Sequence, residues 1–404
     1  MTSGQAATDV KAKASCVYID SPMPNAIDQV LPFYRSGFFD RASVPILLRR
    51  RMFMEKRHAP VEAPGSLPPI TRVSQFSPSQ QLGSGQGGGQ GVVFYPFAAQ
   101  ANAQVVSDRS VQHVLTLHGE SNKTSSFRPS ARLYDYVLVA GTLACRRYLK
   151  LKIFTEREVA QGRLVQMGDT LVQDMPYLAA APLSREAWVL YAPTWETSLP
   201  SENYSSAQDG YGYGVAKRCA EACGTRRILI KPHPNYGMRD LAYIRQLVRN
   251  IQSLRSLGFE VKVVNEAINY RIHLILTMIF GRDIYAATEL RYPVSLAVVD
   301  ISGMEAICLK QGIPHIVIRK PSNTHMPDDE DLTAVYRFKM LTFGEGTGEV
   351  QRLIETYAAA HAQVDIDHRQ LVFSYADTAL PSQSAAQRFA WLNRYLQDNT
   401  YWRP

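Results

Sequence analysis

Residues 296–318, LAVVDISGMEAICLKQGIPHIVI, contain the pattern that decides the fold. The run that ends at Asp300 is continuously apolar, as in a strand that is buried on both faces. Ser302 is a good helix N-cap, and Gly312 and Pro314 end the predicted helix before the next apolar run. A strand, a helix and a second strand in this order predict a βαβ unit with parallel strands.

The same alternation extends through the chain. Short apolar runs rich in Val, Ile and Tyr predict strands at 16–20, 92–95, 113–117, 136–140, 163–167, 188–192, 227–231, 260–264, 296–300 and 315–318. The best helix patterns lie at 25–36, 241–256, 304–311, 350–362 and 382–397. This alternation predicts an α/β protein with two doubly wound, Rossmann-like halves facing a crevice. A single barrel would need eight evenly spaced units, and the irregular stretch 58–91 breaks that spacing.

The predicted boundary lies near 179–186, where LAAAPLSRE separates two strand-rich blocks. It gives an N-terminal domain over 1–180, a C-terminal domain over 186–380 and a C-terminal helix over 381–404. The Gly- and Gln-rich stretch 83–91 lacks the Lys-Ser/Thr ending of a phosphate-binding loop. That stretch predicts a flexible loop, with an active-site lid as the alternative.

Composition excludes several classes of protein. With 404 residues, of which 46% are hydrophobic and 20% charged, the chain can bury two cores and is neither disordered nor fibrous. No secretory signal and no membrane-spanning run is recognisable, which favours a cytoplasmic protein. The most apolar stretch, 274–280, closely follows Arg271 and His273 and predicts a buried helix. Five scattered cysteines lack zinc-site spacing, so no metal site is expected.

The net charge of +8 is concentrated in one segment. Residues 41–57, RASVPILLRRRMFMEKR, contain six basic residues and one acidic residue, interleaved with apolar side chains. The mixture predicts either a segment that docks on an anionic membrane surface or a helix with its arginines solvated on one face. No helix-turn-helix, RNP or zinc-finger pattern is present, so a nucleic-acid partner is not expected.

Two stretches place a histidine just after a predicted strand, where open α/β sheets bind ligands. In HVLTLHGESNK (113–123), His118 follows the strand. A histidine near its normal pKa of about 6.5 can act as a general base, so His118 is a candidate base unless it is a buried structural residue. The neighbouring Gly119 permits close approach of a substrate, and Lys123 can neutralise a phosphate. In RRILIKPHPNY (226–236), two prolines fix the backbone around the histidine, which predicts a phosphate or leaving-group contact unless the stretch is simply a Pro-rich turn.

The helix start in 296–318 predicts a third site. Ser302 caps the helix, so the N–H groups of Gly303 and the next residues form an anion site. Glu305 in the first turn can accept hydrogen bonds from a ribose or a base. Trp195 and Glu196 follow another strand and are expected near the crevice, where they can touch a base or an acceptor.

The order HG…K, YDYVLVAG, MGDTLVQDMPYL, VLYAPTWE, IKPHP and DISGMEA…GIP, over about residues 111–320, resembles the CDP-glycerol glycerophosphotransferase family. That family includes teichoic-acid and capsule polymerases. The resemblance implies a GT-B fold, in which two Rossmann-like domains face a crevice, the C-terminal half binds the donor and the C-terminal helix crosses back.

The resemblance also implies roles for individual residues. His118 would be the base that deprotonates an acceptor hydroxyl. His233, with Lys231, would contact the donor phosphates, and Asp300 and Ser302 would lie near the pyrophosphate.

The chain departs from the family pattern at three places. Gly303 stands where the family commonly has a second Ser. The acidic residue that the family has further along the helix appears here as Glu305, in the first turn. The stretch GDTLVQD lacks the usual Pro after Gly168 but keeps Asp174. These departures leave the identity of the donor open.

The sequence therefore predicts a transferase that moves a glycerol-phosphate or sugar unit from a CDP- or CMP-linked donor onto a bacterial cell-surface polymer. No cofactor or metal is expected, and the predicted partners are that donor, an anionic or lipid-linked polysaccharide acceptor and the inner face of the membrane. One alternative is a CMP-Kdo, CMP-sialic acid or UDP-sugar glycosyltransferase of capsule or lipopolysaccharide synthesis. With a CMP-sugar donor it would need an acidic base such as Asp174 or Glu120. A non-catalytic GT-B shell is the other alternative.

Overall fold

The computed structural model describes residues 15–21, 26–49, 67–78, 82, 91–197, 199–266, 268–321 and 330–399. Within these ranges the strands form two parallel sheets. Their order is typical of doubly wound α/β halves, as the apolar runs predict.

The N-terminal sheet has seven strands in the order β3-β2-β1-β4-β5-β6-β7. Their bounds are β1 Ser15–Ile19, β2 Ile46–Arg49, β3 Ile70–Val73, β4 Val92–Tyr95, β5 Gln112–Leu115, β6 Tyr136–Val139 and β7 Leu164–Gln166. Val17 pairs with Ile46 on one side and Phe94 on the other, so the strand order reverses at β1. Ligands of open sheets bind at such reversals.

The C-terminal sheet has the order β12-β11-β10-β9-β13-β14-β15, and β8 pairs with β13. The bounds are β8 Leu178–Ala180, β9 Trp188–Ala192, β10 Arg227–Ile230, β11 Glu260–Val264, β12 Tyr285–Ala286, β13 Tyr292–Asp300, β14 His315–Arg319 and β15 Met340–Thr342. The order reverses between β9 and β13, where Ala192 pairs with Val299. The residues that follow these two strands therefore meet at one edge of the sheet.

Helices flank both sheets. Their bounds are α1 Leu31–Arg35, α2 Ala103–Val106, α3 Thr142–Lys150, α4 Glu156–Ala160, α5 Tyr211–Ala222, α6 Leu241–Ser256, α7 Tyr270–Phe280, α8 Gly303–Gln311, α9 Glu330–Tyr336, α10 Thr347–Val372 and α11 Ala385–Asp398. Polar caps set several of the N-termini. The side chain of Asp240 accepts from the N–H of Ala242 in α6, and Ser302 caps α8 in the same way, as its sequence predicts.

The C-terminal helix crosses back to the N-terminal sheet, which confirms the prediction. Leu392 and Leu396 of α11 are fully buried in the core that contains β1, β4 and β5. The side-chain amide of Gln112 in β5 donates to the carbonyl of Leu396 at 2.7 Å. Arg388 forms an ion pair with Asp169 at 2.7 Å, so both apolar packing and polar contacts hold α11 in place.

The membrane-docking interpretation of segment 41–57 is wrong for residues 46–49. Ile46, Leu47 and Leu48 are buried in β2, between β1 and β3, so they are unavailable to a bilayer. The helical alternative is also wrong here, because these residues form a strand. The rest of the basic run, 50–57, and residues 83–90 of the Gly-rich stretch lie outside the described residues.

The apolar stretch 274–280 does form a helix, α7, and Leu276 is fully buried, but the predicted burial is wrong for the outer face of the helix. Leu274 is 45% exposed, Ile279 47% and Met278 77%. The helix flanks the sheet next to edge strand β12 and has an apolar outer face. No helix in the described part of the chain is long and apolar enough to cross a membrane.

Candidate active site in the interdomain cleft

His118 lies on a tightly bent turn after β5. Leu117 before it has a φ of 58° and Gly119 after it a φ of 147°, both in the left-handed region. A leucine in that region is strained by about 1–2 kcal/mol, and the turn is therefore held by its surroundings. The imidazole packs on Phe97, with 4.7 Å between ring centroids, and remains exposed to the cleft.

The hydrogen bond of this ring fixes its tautomer. His118 Nδ1 lies 2.9 Å from the carbonyl oxygen of Pro96. A carbonyl can only accept, so Nδ1 carries the proton and Nε2 keeps its lone pair. Partial desolvation in the cleft, with the positive charge of Lys123, lowers the pKa of His118. A neutral ring with an open Nε2 is the form that a general base requires.

His233 lies on the KPHP turn after β10. Its backbone N–H donates to the carbonyl of Pro193 at 3.1 Å, which joins this turn to the one after β9. Trp195 stacks on the imidazole, with ring centroids 5.9 Å apart and an interplanar angle of 19°. The guanidinium of Arg239 covers the Trp195 ring at 5.2 Å. The imidazole is thus held in one orientation by backbone and aromatic contacts.

The tautomer of His233 is the opposite one. Its Nδ1 accepts a hydrogen bond from the backbone N–H of Asn235 at 3.1 Å, so the proton of the neutral ring is on Nε2. Burial, followed by repulsion from Lys123, Lys231 and His118, lowers its pKa well below the normal value. The Nε2–H group of His233 is therefore a donor, suited to an anionic oxygen.

Two lysines add positive charge to this cleft. Lys123, from the N-terminal domain, donates to the hydroxyl of Thr194 in the C-terminal domain at 2.6 Å. Burial lowers the pKa of Lys123 to about 8. Lys231 is buried beside His233, and burial lowers its pKa too. Lys123, Lys231 and His118 are all close enough to lower the pKa of His233. The structure therefore brings the two lysines, both predicted to contact phosphate, together with the two histidines.

Asp300 positions the turns rather than facing the cleft. Its fully buried carboxylate accepts from the backbone N–H of Thr194 at 2.7 Å and of Ser206 at 3.2 Å. Burial raises its pKa to about 6, against the effect of these hydrogen bonds. Asp300 thus holds two parts of the connection between β9 and α5 at the point where the strand order reverses.

The start of α8 meets the His118 turn across the cleft. A Cβ added to Gly303 would lie 3.5 Å from the carbonyl oxygen of Glu120, and Ser302 caps the helix beside it. The predicted anion site at this N-terminus is therefore next to the turn that carries His118. Two of its predicted donors are already used, because the N–H of Met304 donates to the Ser302 hydroxyl and that of Glu305 to the Ser302 carbonyl, both at 3.3 Å. Helix N-termini favour negative charge because their free N–H groups and dipole point outward.

Glu305 is already hydrogen-bonded by the protein. Its Oε1 accepts from the hydroxyl of Tyr336 at 2.5 Å and its Oε2 from the side-chain amide of Asn122 at 3.0 Å. Asn122 also donates to Tyr336 at 2.7 Å. Because Asn122 belongs to the N-terminal domain, this trio links the two domains below the cleft. The sequence around Asn122, HGESNK, gave no signal for this contact between the domains.

Below Glu305 lies the group of described residues that could hold a metal ion. Glu305, His315 and His368 place potential ligand atoms within 4.8 Å of one another. The ammonium of Lys339 lies among them, 3.2 Å from His315 Nε2, 2.9 Å from His368 Nδ1 and 3.1 Å from Asp365 Oδ1. A metal ion would have to displace this ammonium, which already supplies the cationic charge of the cluster.

Two further residues shape the site: Glu196, which was expected near the crevice with Trp195, and Lys320, which sequence reasoning missed. Glu196 is buried and accepts from the backbone N–H groups of Gly237, at 2.9 Å, and Arg239, at 2.8 Å, which fixes the loop beside His233. Lys320 directly follows β14, is buried and donates to Gln208 at 3.1 Å. A lysine directly after a buried apolar strand was the available signal for Lys320.

A cavity of about 510 Å³ opens beside the His233 turn, and its volume is within the range of small-molecule sites. It is lined mainly by polar residues, among them Glu196, Asn203, Gln208, Arg239 and Tyr243. Arg239 connects this cavity to the Trp195–His233 stack.

The two carboxylates considered as acidic bases are both paired. Glu120 forms an ion pair with Arg147 of α3 at 3.0 Å, and both side chains are largely buried. Asp174 is 64% exposed and pairs with Lys310 at 2.9 Å, at the opposite end of α8 from Ser302. The structure thus brings Glu120 to the cleft turn and places Asp174 away from it.

The fold has counterparts among solved structures. The Anabaena protein Alr3699/HepE in complex with UDP is 11% identical, with a TM-score of 0.50 over 94% of this chain and 99% of that one. Arabidopsis thaliana UGT89C1 with UDP-L-rhamnose is 10% identical, with a TM-score of 0.49 over 95% and 99% of the two chains. The lipopolysaccharide outer core galactosyltransferase WaaB is 9% identical, with a TM-score of 0.45 over 94% and 99%.

No protein-family model and no curated protein sequence matches the chain. The two parallel doubly wound sheets, with the returning helix α11 and the likeness to the Anabaena structure, define a two-domain α/β fold of the GT-B type. The expected fold class is therefore confirmed.

Proposed function

We propose that the chain is a GT-B transferase that moves a unit from a nucleotide-activated donor onto an acceptor hydroxyl. One observation carries the proposal. Two neutral histidines at the cleft have opposite tautomers, one with an open lone pair and one with an N–H donor, and two lysines lie with them. Transfer from such a donor needs a base for the nucleophile and positive or donor groups for the leaving phosphate.

His118 Nε2 takes the proton from the acceptor hydroxyl as its oxygen attacks the donor. The Nδ1–H bond to Pro96 holds the ring and stabilises the imidazolium that forms. With CDP-glycerol the oxygen attacks the distal phosphorus, and the bond to the CMP oxygen breaks. With a nucleotide sugar the oxygen attacks the anomeric carbon, and the bond from that carbon to the nucleotide phosphate breaks, which releases a nucleoside diphosphate or, from a CMP-sugar, CMP.

The departing phosphate gains negative charge, and the facing groups are those that stabilise it. His233 Nε2–H and the ammonium groups of Lys231 and Lys123 provide charge-assisted hydrogen bonds. The N-terminus of α8 at Gly303 adds its dipole. Asp300 holds the loop of Thr194, and through it the position of Lys123.

The donor we favour is cytidine-linked, and the acceptor a bacterial cell-surface polymer, on the motif resemblance described above. A CMP-Kdo or CMP-sialic acid transferase with an acidic base is the second candidate. Glu120 and Asp174 are both occupied by cations, whereas His118 presents a free nitrogen, which favours the histidine base.

The test is a donor panel of CDP-glycerol, CMP-sugars, UDP-sugars and ADP-sugars with the purified chain. Binding is measured as a shift of the melting temperature and turnover as nucleotide release. Stabilisation and release with one nucleotide class would support the transferase and identify its donor. Stabilisation without release, in wild type and H118Q alike, would favour a non-catalytic binding protein, and no response to any nucleotide would contradict the proposal.

A further inference from the structure

Helix α7 presents an apolar face to solvent. Tyr270, Leu274 and Met278 are spaced four residues apart, so they lie on one stripe of the helix. They are 51%, 45% and 77% exposed, and Ile279 beside them is 47% exposed. Isolated exposed apolar residues are common, but a continuous apolar stripe on one helix marks an interaction surface.

The inner face of α7 is apolar too, because Ile272 and Leu276 are fully buried in the core. The polar His273 and Thr277 are half-buried between the two faces. His273 stacks on Tyr285, with ring centroids 5.0 Å apart. Thr277, one turn later, lies 3.4 Å from the Tyr285 hydroxyl. A solvent-facing helix normally has a polar outer stripe. Since both the buried face and the exposed stripe of α7 are apolar, the helix has the pattern of one with an apolar environment on its outer side as well.

The surroundings of this face are basic. Helix α6 has three arginines and no acidic residue, and α7 has Arg271 and no acidic residue. Arg255 at the end of α6 lies 5.5 Å from the ring of Phe280 at the end of α7. Arg282 follows α7 and is exposed, with Asp283 as the acidic neighbour. Both ends of the apolar stripe are therefore flanked by guanidinium groups.

This charge pattern selects among possible occupants. In a two-fold dimer with antiparallel α7 helices, Arg271 of one copy would face Arg255 and Arg282 of the other, and like charges would oppose each other. An anionic lipid surface satisfies both features, since acyl chains accept the apolar stripe and headgroup phosphates pair with the arginines.

We propose that α7, flanked by Arg255, Arg271 and Arg282, is an interfacial helix that docks the protein on an anionic lipid surface. The side chains of Leu274, Met278 and Ile279 enter the acyl boundary, and Tyr270 lies at headgroup level. This surface is distinct from segment 41–57, whose apolar residues 46–48 are in the core.

The docking surface is next to the cleft. Strands β10 and β11 are parallel neighbours, so the KPHP turn after one and the loop that leads into α7 after the other lie on the same edge of the sheet. Glu266 in that loop is close enough to Lys231 to offset part of the lowering of the Lys231 pKa by burial. A bilayer against α7 therefore brings the cleft edge near the membrane, within reach of a lipid-linked acceptor.

The test is co-sedimentation of the full chain with vesicles of phosphatidylcholine, alone or with about one third phosphatidylglycerol. Wild type should bind the anionic vesicles and lose binding as salt is raised. The L274E/M278E variant should bind at least about tenfold more weakly, because charges then enter the acyl boundary. Leu183, 59% exposed and outside α7, provides the matched control L183E, which should bind as wild type does.

Equal binding of wild type and L274E/M278E, or no binding of wild type to anionic vesicles, would overturn the proposal. A wild-type dimer that dissociates in L274E/M278E would assign the face to a second copy and also overturn it. The nucleotide-induced shift in melting temperature should be unchanged in L274E/M278E. Vesicle binding and nucleotide binding therefore fail separately if either proposal is wrong.

Discussion

The turns that carry His118 and His233 use the same side chain in opposite ways. The first ring donates from Nδ1 to the carbonyl of Pro96, and the second accepts at Nδ1 from the N–H of Asn235. Each leaves Nε2 for the ligand, as an acceptor in one case and as a donor in the other. A single backbone contact thus decides whether a neutral histidine is a base or a phosphate donor.

The largest effect is expected from removing the base. H118Q should lower kcat by about a hundred- to ten-thousand-fold, the usual contribution of general-base catalysis, while donor binding changes little. Initial rates of nucleotide release measure kcat, and thermal shift with the donor nucleotide measures binding. Turnover of H118A within tenfold of wild type would remove His118 from the proposed role.

The donor role of His233 predicts a smaller loss of a different kind. H233A should lower kcat/KM about ten- to hundredfold, because one hydrogen bond to a charged group is worth about 1.5–3 kcal/mol. The loss should appear in donor KM and in kcat, since the phosphate is bound in the ground state and gains charge in the transition state, and H233Q, whose amide N–H can donate, should recover part of it. If H233A left both kcat and donor KM within twofold of wild type, the donor role of His233 would be lost.

The lysine between the turns predicts a change in the pH profile. Desolvation and Lys123 lower the pKa of His118, so wild type should keep its neutral base, and its activity, below pH ~6.5. K123M removes the repulsion, so the pKa of His118 rises and the acidic limb of kcat/KM moves to higher pH. Above the Lys123 pKa of about 8, donor binding by wild type should weaken as the ammonium loses its proton.

K123R is the matched variant, because arginine stays charged across this range and should abolish the alkaline loss. Profiles of kcat/KM from the acidic to the alkaline side measure both limbs. Superimposable profiles for wild type, K123M and K123R would contradict the coupling of Lys123 to the two histidines.

The smallest effect is expected at Asp174. Its ion pair with Lys310 is exposed, so D174N should change stability by less than about 0.5 kcal/mol and turnover by less than twofold. Urea unfolding and nucleotide release measure the two quantities. A large loss of turnover in D174N, with H118Q active, would favour the CMP-sugar transferase with an acidic base.

The central strands were predictable because buried parallel strands are continuous apolar runs. Strands β3, β8, β12 and β15 were missed, since edge strands of two to four residues have no such pattern. Strand β2 was hidden by the arginines that follow it. The orientation of α7 could not be predicted either, because apolar residues lie on both of its faces and only the tertiary fold buries Ile272 and Leu276 rather than Leu274 and Met278.

The candidate site was predictable to the extent that it follows strand ends. The positions of His118, His233 and Ser302 followed from apolar runs and turn residues. The hydrogen bonds of Asp300 to Thr194 and Ser206 join residues about a hundred positions apart, and no local pattern encodes such a contact. The tautomers of His118 and His233 depend on hydrogen bonds of their rings to the backbone of Pro96 and Asn235, which the sequence does not reveal either.

Helix α11 has a consequence for how the protein is made. Leu392 and Leu396 complete the core of the N-terminal half, and Gln112 of β5 bonds to the carbonyl of Leu396. During synthesis the N-terminal half therefore leaves the ribosome with part of its apolar core uncovered, and it remains so until α11 emerges. Although each half has its own sheet, the first cannot finish folding before the second has been translated.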